Sequence, residues 1–314
     1  MQPLSRQRLT SMTAEPAITN TAFNKYLNDV AQKTHTFLEN NLPAPTGIES
    51  RLFEAMRYSA LSNGKCLRPF LVHACADLFG APDEQKTRVG AAVEALHSYT
   101  LIHDDLPAMD DDDIRRGKPS CHVAFDEATA ILAGNSLYGY SIELLLSEKT
   151  HPNPLVRMAL AQHLLAATGA QGTVAGQMVD LEGETQKLSL EDVERLHRLK
   201  TGMLISVCCQ MGAILGNASK GEQAQLVKFG FDLGLAFQII DDILDVEGDP
   251  EKLGKPILSD QYNEKSTFVT LLGLDAAKSY ARQKMQDSCA HIKSFGPRAN
   301  LLYDLAEYIV TRDR

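Results

Sequence analysis

The amino-acid sequence predicts an all-α protein, built as a single large helical bundle around a central cavity. Apolar residues recur every three or four positions along most of the chain, for example at Val89, Val93 and Leu96, as on one face of a helix. The alternating pattern of half-buried β-strands is nearly absent. Prolines and glycine-containing turns divide the chain into segments long enough for such a bundle.

The helical segments end at recognisable signals. Pro43 ends the first segment, the Ser62-Asn63-Gly64 turn ends the second, and Pro107 ends the regular helix that precedes it. The predicted segments cover residues 23–41, 51–61, 70–80, 89–103, 125–147, 154–180, 189–215, 222–246, 267–295 and 299–312. The longest uncharged run, 201–219, contains glycines and polar residues, and it therefore predicts a buried helix rather than a membrane span.

Length and composition limit the possible functions. The chain has 314 residues, of which 44% are hydrophobic and 23% charged, and it can bury a sizeable core. Its formal net charge of −9 argues against general binding of nucleic acid. The six cysteines form no CxxC pair, so we expect reduced thiols in a cytoplasmic protein rather than a disulfide framework.

Residues 1–20 differ from the rest of the chain. They lack the apolar segment of a secretory signal, and we expect a disordered leader there. A transit peptide is the alternative, because Arg6 and Arg8 precede the first acidic residue, Glu15. Residues 21–314 show no repeat and no low-complexity linker, which predicts a single all-α domain.

A first acidic cluster, residues 104–113, contains aspartates at positions 104, 105 and 110–113. Carboxylates this close repel one another unless a cation lies among them, and Mg²⁺ prefers such oxygen ligands. Arg115, Arg116 and Lys118 follow directly, and arginines are suited to gripping phosphate. The cluster therefore predicts a metal-bridged phosphate site, with a solvated acidic loop followed by a basic one as the alternative.

The spacing within this cluster predicts its local shape. Asp104 and Asp110 are six residues apart, which is about 240° around an ideal helix by its geometry. The two carboxylates could not share a metal on a straight helix. We therefore expect the chain to bend at Pro107, so that Asp110 returns to Asp104.

A second acidic cluster consists of Asp241, Asp242 and Asp245. Their spacings of three and four residues are expected to place all three on one side of a helix, with Gln238 one turn earlier. Three like charges on one face are unfavourable without a counter-ion. Two acidic clusters facing each other across a cavity could hold several metals around one diphosphate.

These residues resemble the short-chain trans-prenyl diphosphate synthases, of the bacterial farnesyl diphosphate type. The matching motifs occur in the family's order between about residues 60 and 255, and the similarity extends over 306–314 at the end of the chain. They are Gly64-Lys-Cys-Leu-Arg-Pro69, His97, Asp104-Asp-x₄-Asp110 with Arg115-Arg116-Gly117, Gly176-Gln-x-x-Asp180, Lys200-Thr201, Phe237-Gln-x-x-Asp-Asp-x-x-Asp245 and Gly254-Lys255. The sequence departs from the family pattern at Cys66, where an arginine is usual.

The resemblance implies an isoprenoid synthase-like bundle with 21–314 as the catalytic domain. It implies condensation of isopentenyl diphosphate with dimethylallyl and geranyl diphosphate to (2E,6E)-farnesyl diphosphate. Ionisation of the allylic diphosphate gives a carbocation, the isopentenyl double bond attacks it, and a proton is lost. Three Mg²⁺ ions are expected when diphosphate is bound, and a homodimer is the expected assembly.

The resemblance also implies roles for the matched side chains. The implied metal ligands are Asp104, Asp105, Asp110, Asp241 and Asp245. The implied allylic diphosphate ligands are Arg115, Lys200 and Lys255. The implied isopentenyl diphosphate ligands are Lys65, Arg68, His97 and Arg116. Thr201 and Gln238 are implied to line the carbocation, and the implied catalytic set is Lys200, Thr201, Gln238, Asp104 and Asp241.

Tyr99 and Thr100 are expected to set product length. Tyr99 precedes Asp104 by five residues, which is about 7.5 Å along a helix. A bulky side chain there would form a floor under the growing product, and an aromatic residue at this place resembles the family's pattern for a C15 product.

Three alternatives remain beside a farnesyl diphosphate synthase. The same enzyme class could stop at geranyl diphosphate or continue beyond C15. A terpene cyclase would show one aspartate-rich motif and a second metal motif with Asn, Ser and Glu, whereas this chain has aspartates in both. A non-catalytic diphosphate-binding paralogue would be expected to have lost a motif residue.

Overall fold

A computed structural model describes residues 21–62, 64–247 and 265–312. The predicted leader, residues 1–20, and the predicted substrate ligand Lys255 lie outside the described residues. Asn63, residues 248–264 and residues 313–314 lie outside them as well.

The all-α prediction is confirmed, because helices account for nearly all regular structure in the described ranges. The helices are α1 (Thr21–Asn41), α2 (Ser50–Ala60), α3 (Leu67–Asp77), α4 (Asp83–Asp104), α5 (Cys121–Ala124), α6 (Glu127–Leu146), α7 (Pro154–Thr168), α8 (Thr173–Gly183), α9 (Leu190–His197), α10 (Met203–Leu215), α11 (Lys220–Glu247), α12 (Phe268–Leu272), α13 (Leu274–His291) and α14 (Asn300–Thr311). A π-helical turn, Arg198–Gly202, joins α9 to α10, and a 3₁₀ helix, Lys293–Ala299, precedes α14. Two short antiparallel strands, β1 (Ile114–Arg115) and β2 (Lys118–Pro119), form a hairpin.

Side chains and glycines fix the helix boundaries. Asp126 and Asn153 cap α6 and α7 by accepting backbone N–H groups, and Ser189 forms a capping box at the start of α9. Gly273, with φ of 81°, separates α12 from α13. These contacts satisfy backbone groups that the first turns of the helices leave free.

The predicted segment 154–180 is two helices, so the expectation of one continuous helix there is wrong. The chain turns between α7 and α8, where Gly169 and Gly172 follow each other closely. A Cβ on Gly172 would lie 1.9 Å from the carbonyl oxygen of Ala167, so the turn folds too tightly for any side chain at that position. Helical periodicity continues through this turn and therefore does not reveal it.

The apolar run 201–219 forms the centre of the bundle. Leu204, Met211 and most other residues of α10 are buried, which confirms the prediction of a buried helix. Glycines allow the neighbouring helices to approach closely, since a Cβ on Gly212 would lie 2.5 Å from Val72 O of α3 and one on Gly230 of α11 would lie 2.5 Å from Ser206 Cα. Helix α10 is therefore packed closely, backbone to backbone, against both α3 and α11.

Two further features are set by composition. All six cysteines are free thiols, as predicted. No helix in the described ranges has both the length and the apolarity required to cross a membrane.

The close packing of α10 predicts a stability difference between two glycine variants. Gly212→Ala should lower the free energy of unfolding by about 1–3 kcal/mol, because its methyl group would overlap Val72 O and Cys75. Gly221→Ala is the matched control, since Gly221 is exposed in the first turn of α11 with no atom nearer than 3.9 Å. That variant should be neutral or slightly more stable. Urea denaturation of both proteins measures the difference, and equal stability would contradict it.

Candidate active site

The first acidic cluster begins where α4 ends. The backbone N–H of Asp110 donates a hydrogen bond of 2.8 Å to Asp104 O, and that of Asp111 donates one of 3.2 Å to Leu106 O. Asp111 has φ of 53°, in the left-handed region, which reverses the chain. The predicted bend after Asp104 is therefore present, and it returns Asp110 to the end of the helix.

Burial and a neighbouring carboxylate act together on Asp104. Burial raises the pKa of its carboxyl to about 7, with Asp110 adding to the effect and Lys200 opposing it. Asp110 in turn accepts a hydrogen bond of 3.3 Å from Gln177 Nε2 on α8. Because the Asp110 carboxylate opposes ionisation of Asp104, a cation near both groups would be favoured.

Asp105 lies on a different side of α4 from Asp104. Its carboxylate is 2% exposed, and it accepts hydrogen bonds from Nε of Arg115, at 2.8 Å, and from Nη2 of the same side chain. Nη2 also contacts Asp112 at 2.9 Å. Asp105 borders a small cavity of about 30 Å³ with Ser98. The predicted metal ligand Asp105 and the predicted diphosphate ligand Arg115 are thus partners of each other in this structure.

The aspartates of the second acidic cluster have different partners. Asp241 Oδ1 lies 2.5 Å from Nη2 of Arg312. Asp242 Oδ2 instead accepts the backbone N–H of Phe268 at 2.8 Å, at the start of α12. The expectation that all three acids share one side is therefore wrong for Asp242, which lies about 100° around the helix from Asp241. Asp245 is 3% exposed.

The π-helical turn connects the two acidic clusters. Lys200 Nζ lies 2.5 Å from Asp180 Oδ2 on α8, and the next residue, Thr201, donates a hydrogen bond of 2.8 Å to Gln238 Oε1 on α11. Gln238 is one turn before Asp241. Burial opposes the charge of Lys200, but Asp180, Asp110 and Asp104 together raise its pKa. Lys200 therefore faces the first cluster while Thr201 faces the helix of the second.

Gly176 explains why α8 comes so close to this turn. A Cβ on Gly176 would lie 2.2 Å from Lys200 N, so only glycine permits the crossing. The crossing brings Gln177 to Asp110 and Asp180 to Lys200. Lys265 also reaches Asp180, at 3.8 Å. Gln177 and Asp180 were not among the expected ligands, although the spacing Gly176-Gln-x-x-Asp180 was their signal.

A basic group lies between α3 and α4. Arg68 Nη1 lies 3.0 Å from His97 Nε2, and His97 Nδ1 lies 3.3 Å from Thr100 Oγ1. Since a guanidinium can only donate, Nε2 accepts and the imidazole proton is on Nδ1. Burial, and secondarily Arg68, lowers the pKa of His97. His97 is therefore neutral, and its ring orients Arg68.

Arg116 belongs to the same basic group. Its Nη1 donates to Ser62 Oγ at 3.3 Å, and its Nη2 lies 3.6 Å from Glu94 Oε1. Glu94 is 4% exposed, and it also contributes to the field at Arg68 and at Cys66, whose pKa is raised by burial first and Glu94 next. Sequence reasoning missed Glu94, because a single acid on a helix face carries no spacing signal.

The other basic and aromatic candidates lie at the edges of this group. Lys65 Nζ lies 5.5 Å from the ring centre of Tyr308 on α14. The Tyr99 ring contacts Tyr138 of α6 at 5.3 Å and His103 at 4.8 Å between ring centres, edge to face. Tyr99 is therefore held by aromatic neighbours, of which Tyr138 was not expected from the sequence.

The donor set fits a hard divalent cation that is only partly ligated by protein. Asp104, Asp110 and Asp241 offer carboxylate oxygens, the ligands that Mg²⁺ prefers. In the described part of the chain, no three His, Cys, Asp or Glu side chains come close enough to hold a metal by themselves. Mg²⁺ commonly binds one or two carboxylates and completes its shell with water and phosphate oxygens, which matches this arrangement.

The chain is similar to a known protein family and to several characterised members of it. Residues 49–296 match the family described as polyprenyl synthetase. The chain is 40% identical over 292 residues to the farnesyl diphosphate synthase of Haemophilus influenzae, covering 92% of this chain and 98% of that protein. It is 43% identical over 267 residues to the farnesyl diphosphate synthase of Escherichia coli, covering 83% and 89%. An FPP/GFPP synthase structure from Zymomonas mobilis aligns with a TM-score of 0.84 and 42% identity, over 93% of this chain and 99% of that one.

The raised pKa of Asp104 predicts a pH-dependent effect of Asp104→Asn on stability without metal. The pKa is higher in the folded chain than the ordinary value of 3.8, so the folded state loses stability as pH rises between 3.8 and about 7. Replacing the carboxylate should therefore raise the free energy of unfolding at pH 8 by roughly 1–3 kcal/mol. The gain should largely disappear near pH 4, where the wild-type group is protonated in the folded chain and only about half ionised in the unfolded chain.

Denaturant titrations in EDTA at the two pH values measure this difference. Asp113→Asn is the matched control, because Asp113 is an exposed carboxylate in the same loop. A gain of equal size for the two variants at pH 8 would show that burial of Asp104 is not its cause.

Proposed function

Because this chain belongs to the polyprenyl synthetase family, we propose that it is a prenyltransferase that makes (2E,6E)-farnesyl diphosphate. It condenses isopentenyl diphosphate with dimethylallyl diphosphate and then with geranyl diphosphate. The observation that carries the proposal is 40% identity to a farnesyl diphosphate synthase over 98% of that protein's length. Its support in the structure is that the π-helical turn contacts both α8, whose Gln177 reaches Asp110 of the first acidic cluster, and α11, the helix of the second.

The first acidic cluster and the π-helical turn bind the allylic diphosphate in this proposal. Mg²⁺ held by Asp104, Asp110 and Asp241, with Asp245 nearby, would neutralise the diphosphate and polarise its bond to the prenyl carbon. Lys200 supports this role because it is a cation among acids and would donate to phosphate oxygens. Arg115 would add a second donor, because its side chain is 33% exposed beside the first acidic cluster.

The basic group between α3 and α4 binds isopentenyl diphosphate in this proposal. Arg68, held by the neutral ring of His97, and Arg116, beside Glu94, present guanidinium groups from two directions. Such planar donors match phosphate oxygens in pairs. Lys65 adds a third cation at the start of α3. The fixed partners of Arg68 and Arg116 reduce the conformational entropy that binding would cost.

Thr201 and Gln238 face the reacting carbon in this proposal. Their hydrogen bond of 2.8 Å fixes both oxygen dipoles, which can stabilise a carbocation without the nucleophilic strength to trap it. The buried surroundings of the π-helical turn limit the access of water, which would otherwise quench the cation. The departing diphosphate is the base that takes the proton lost after condensation.

A longer product is the second candidate. The Zymomonas mobilis relative is called an FPP/GFPP synthase, so a protein similar over nearly its whole length makes products of two lengths. In this chain the ring of Tyr99, supported by Tyr138 and His103, would close the space below Asp104. This aromatic floor favours C15 as the main product.

We further propose a homodimer in a reducing compartment such as the cytoplasm. Large apolar side chains are exposed on three consecutive helices, among them Leu132 on α6, Leu155 and Met158 on α7, and Met178 on α8. An apolar surface of this kind favours burial against a second copy. The six free thiols suit a compartment that keeps cysteines reduced.

The first test is incubation of the purified protein with dimethylallyl and isopentenyl diphosphates and Mg²⁺. Chromatography should show farnesyl diphosphate as the main product, and EDTA should abolish its formation because the diphosphate then loses its counter-ions. Geranyl or longer diphosphates as the main product would correct the chain length. A complete lack of condensation with Mg²⁺ present would exclude the proposed activity.

Tyr99→Ala should shift the product distribution toward chains longer than C15. Removing the ring opens the floor below Asp104 and leaves the acidic clusters unchanged, so condensation should continue. Tyr99→Phe is the matched control, since it keeps the ring and should retain C15. Product sizing of both variants decides the matter, and an unchanged C15 product from Tyr99→Ala would remove Tyr99 as the floor.

A further inference from the structure

The end of the described chain contacts the second acidic cluster. Arg312, directly after α14, donates from Nη2 to Asp241 Oδ1 at 2.5 Å and to Phe237 O at 3.1 Å. Its guanidinium carbon lies 3.8 Å from the centre of the Phe237 ring. The Arg312 side chain is 8% exposed, whereas that of Asp241 is 41% exposed. The guanidinium is therefore largely buried against one oxygen of a carboxylate whose side chain is partly exposed.

The helix geometry of α11 makes this contact possible. Phe237 and Asp241 are four residues apart, so they lie on the same face one turn from each other. One planar guanidinium can stack on the ring and reach the carboxylate at the same time. The contact is charge-assisted, partly buried and held at three points, which distinguishes it from an ordinary surface ion pair.

This contact competes with the role proposed for Asp241. Mg²⁺ binds oxygen at about 2.0–2.1 Å and requires the lone pairs of its ligands. The Oδ1 oxygen already accepts a charged hydrogen bond from Arg312 at 2.5 Å, so a metal at this carboxylate would meet a second positive charge beside it and would compete with the guanidinium for the oxygen. Lys200 differs, because its short contact is to Asp180 rather than to a proposed metal ligand.

We propose that Arg312 is a positioning residue that neutralises Asp241 in the ligand-free enzyme and competes with a metal for that carboxylate. The inference rests on the proposed function, because it takes Asp241 as a metal ligand. The ion pair lowers the affinity of the second acidic cluster for a divalent ion alone. Diphosphate shifts the balance, since its oxygens ligate the metal and offer the released guanidinium a new anionic partner.

The order of binding follows from this competition. Without diphosphate, a metal at Asp241 must replace a three-point contact and gains one or two carboxylate oxygens. With diphosphate present, the metal pairs with Asp241 and with diphosphate oxygens, and the released guanidinium of Arg312 pairs with the diphosphate as well. The second cluster is therefore filled together with the substrate rather than before it.

The test measures Mn²⁺ binding by the EPR signal of free Mn²⁺ in the absence of substrate. Arg312→Gln should bind Mn²⁺ at the second cluster roughly tenfold more tightly than the wild type, because the competing charged hydrogen bonds are lost. Asp241→Asn in the Arg312→Gln background should abolish that gain. Adding inorganic diphosphate should shrink the difference between Arg312→Gln and wild type.

Lys278→Gln is the matched control. Lys278 on α13 pairs at 2.6 Å with Glu247, the last residue of α11. The variant therefore removes one positive charge near the helix that carries Asp241, without removing a contact to Asp241 itself. Its Mn²⁺ affinity should equal that of the wild type. Arg312→Lys keeps a positive charge beside Asp241 and is the variant to use if Arg312→Gln does not fold. Because the ion pair is retained, it should bind Mn²⁺ with nearly wild-type affinity.

Three results would overturn the inference. These are unchanged or weaker Mn²⁺ binding by folded Arg312→Gln, an equal gain from Lys278→Gln, and a gain that persists without the Asp241 carboxylate. The Mn²⁺ measurement does not depend on turnover, so the two proposals fail separately. Normal farnesyl diphosphate production with unaltered Mn²⁺ affinity would reject the role of Arg312 alone. Tighter binding without any condensation would reject the activity alone.

Discussion

Carboxylates gathered in a partly buried site repel one another, and cationic side chains of the same protein balance them here. Lys200 lies in the field of Asp104 and Asp110, and Arg312 contacts Asp241 directly. Burial raises the pKa of Asp104 to about 7, and Lys200 opposes that rise. In the proposed function, an anionic substrate and its metals would enter by exchanging partners with charges that are already paired. Such an exchange would let a chain with a net charge of −9 bind two diphosphates.

Close backbone packing keeps these charges at working distances. Gly176 lets α8 touch the π-helical turn, and Gly234 of α11 approaches Gly202, where an added Cβ would lie 2.9 Å from Cα. The side chains of Lys200 and Thr201 extend from this turn toward opposite acidic clusters. π-helical turns are rare in proteins, and those that occur are often found at functional sites. The positions of the ligands therefore depend on small residues that carry no chemistry themselves.

One buried acid organises the basic side of the site. Cys66 directly precedes α3 and has φ of 47°. Buried Glu94 lies near its thiol and pairs with Arg116 at 3.6 Å. In this chain Arg116 and Arg68 are thus the guanidinium groups near Glu94, and they are also the groups proposed for isopentenyl diphosphate. The acid holds in place the cations that the substrate would need.

The sequence by itself determined the helices, the two acidic clusters and the bend after Asp104. These features depend on periodicity, on proline and on spacing within one element, which act between residues close in the chain. Only the tertiary structure decided which charge meets which, as for Asp105 with Arg115, Asp242 with the start of α12, and Arg312 with Asp241. It also decided the break at Gly172, which depends on contact with a preceding carbonyl. Such choices are made by packing between separate elements, and the spacing of residues along the chain does not encode them.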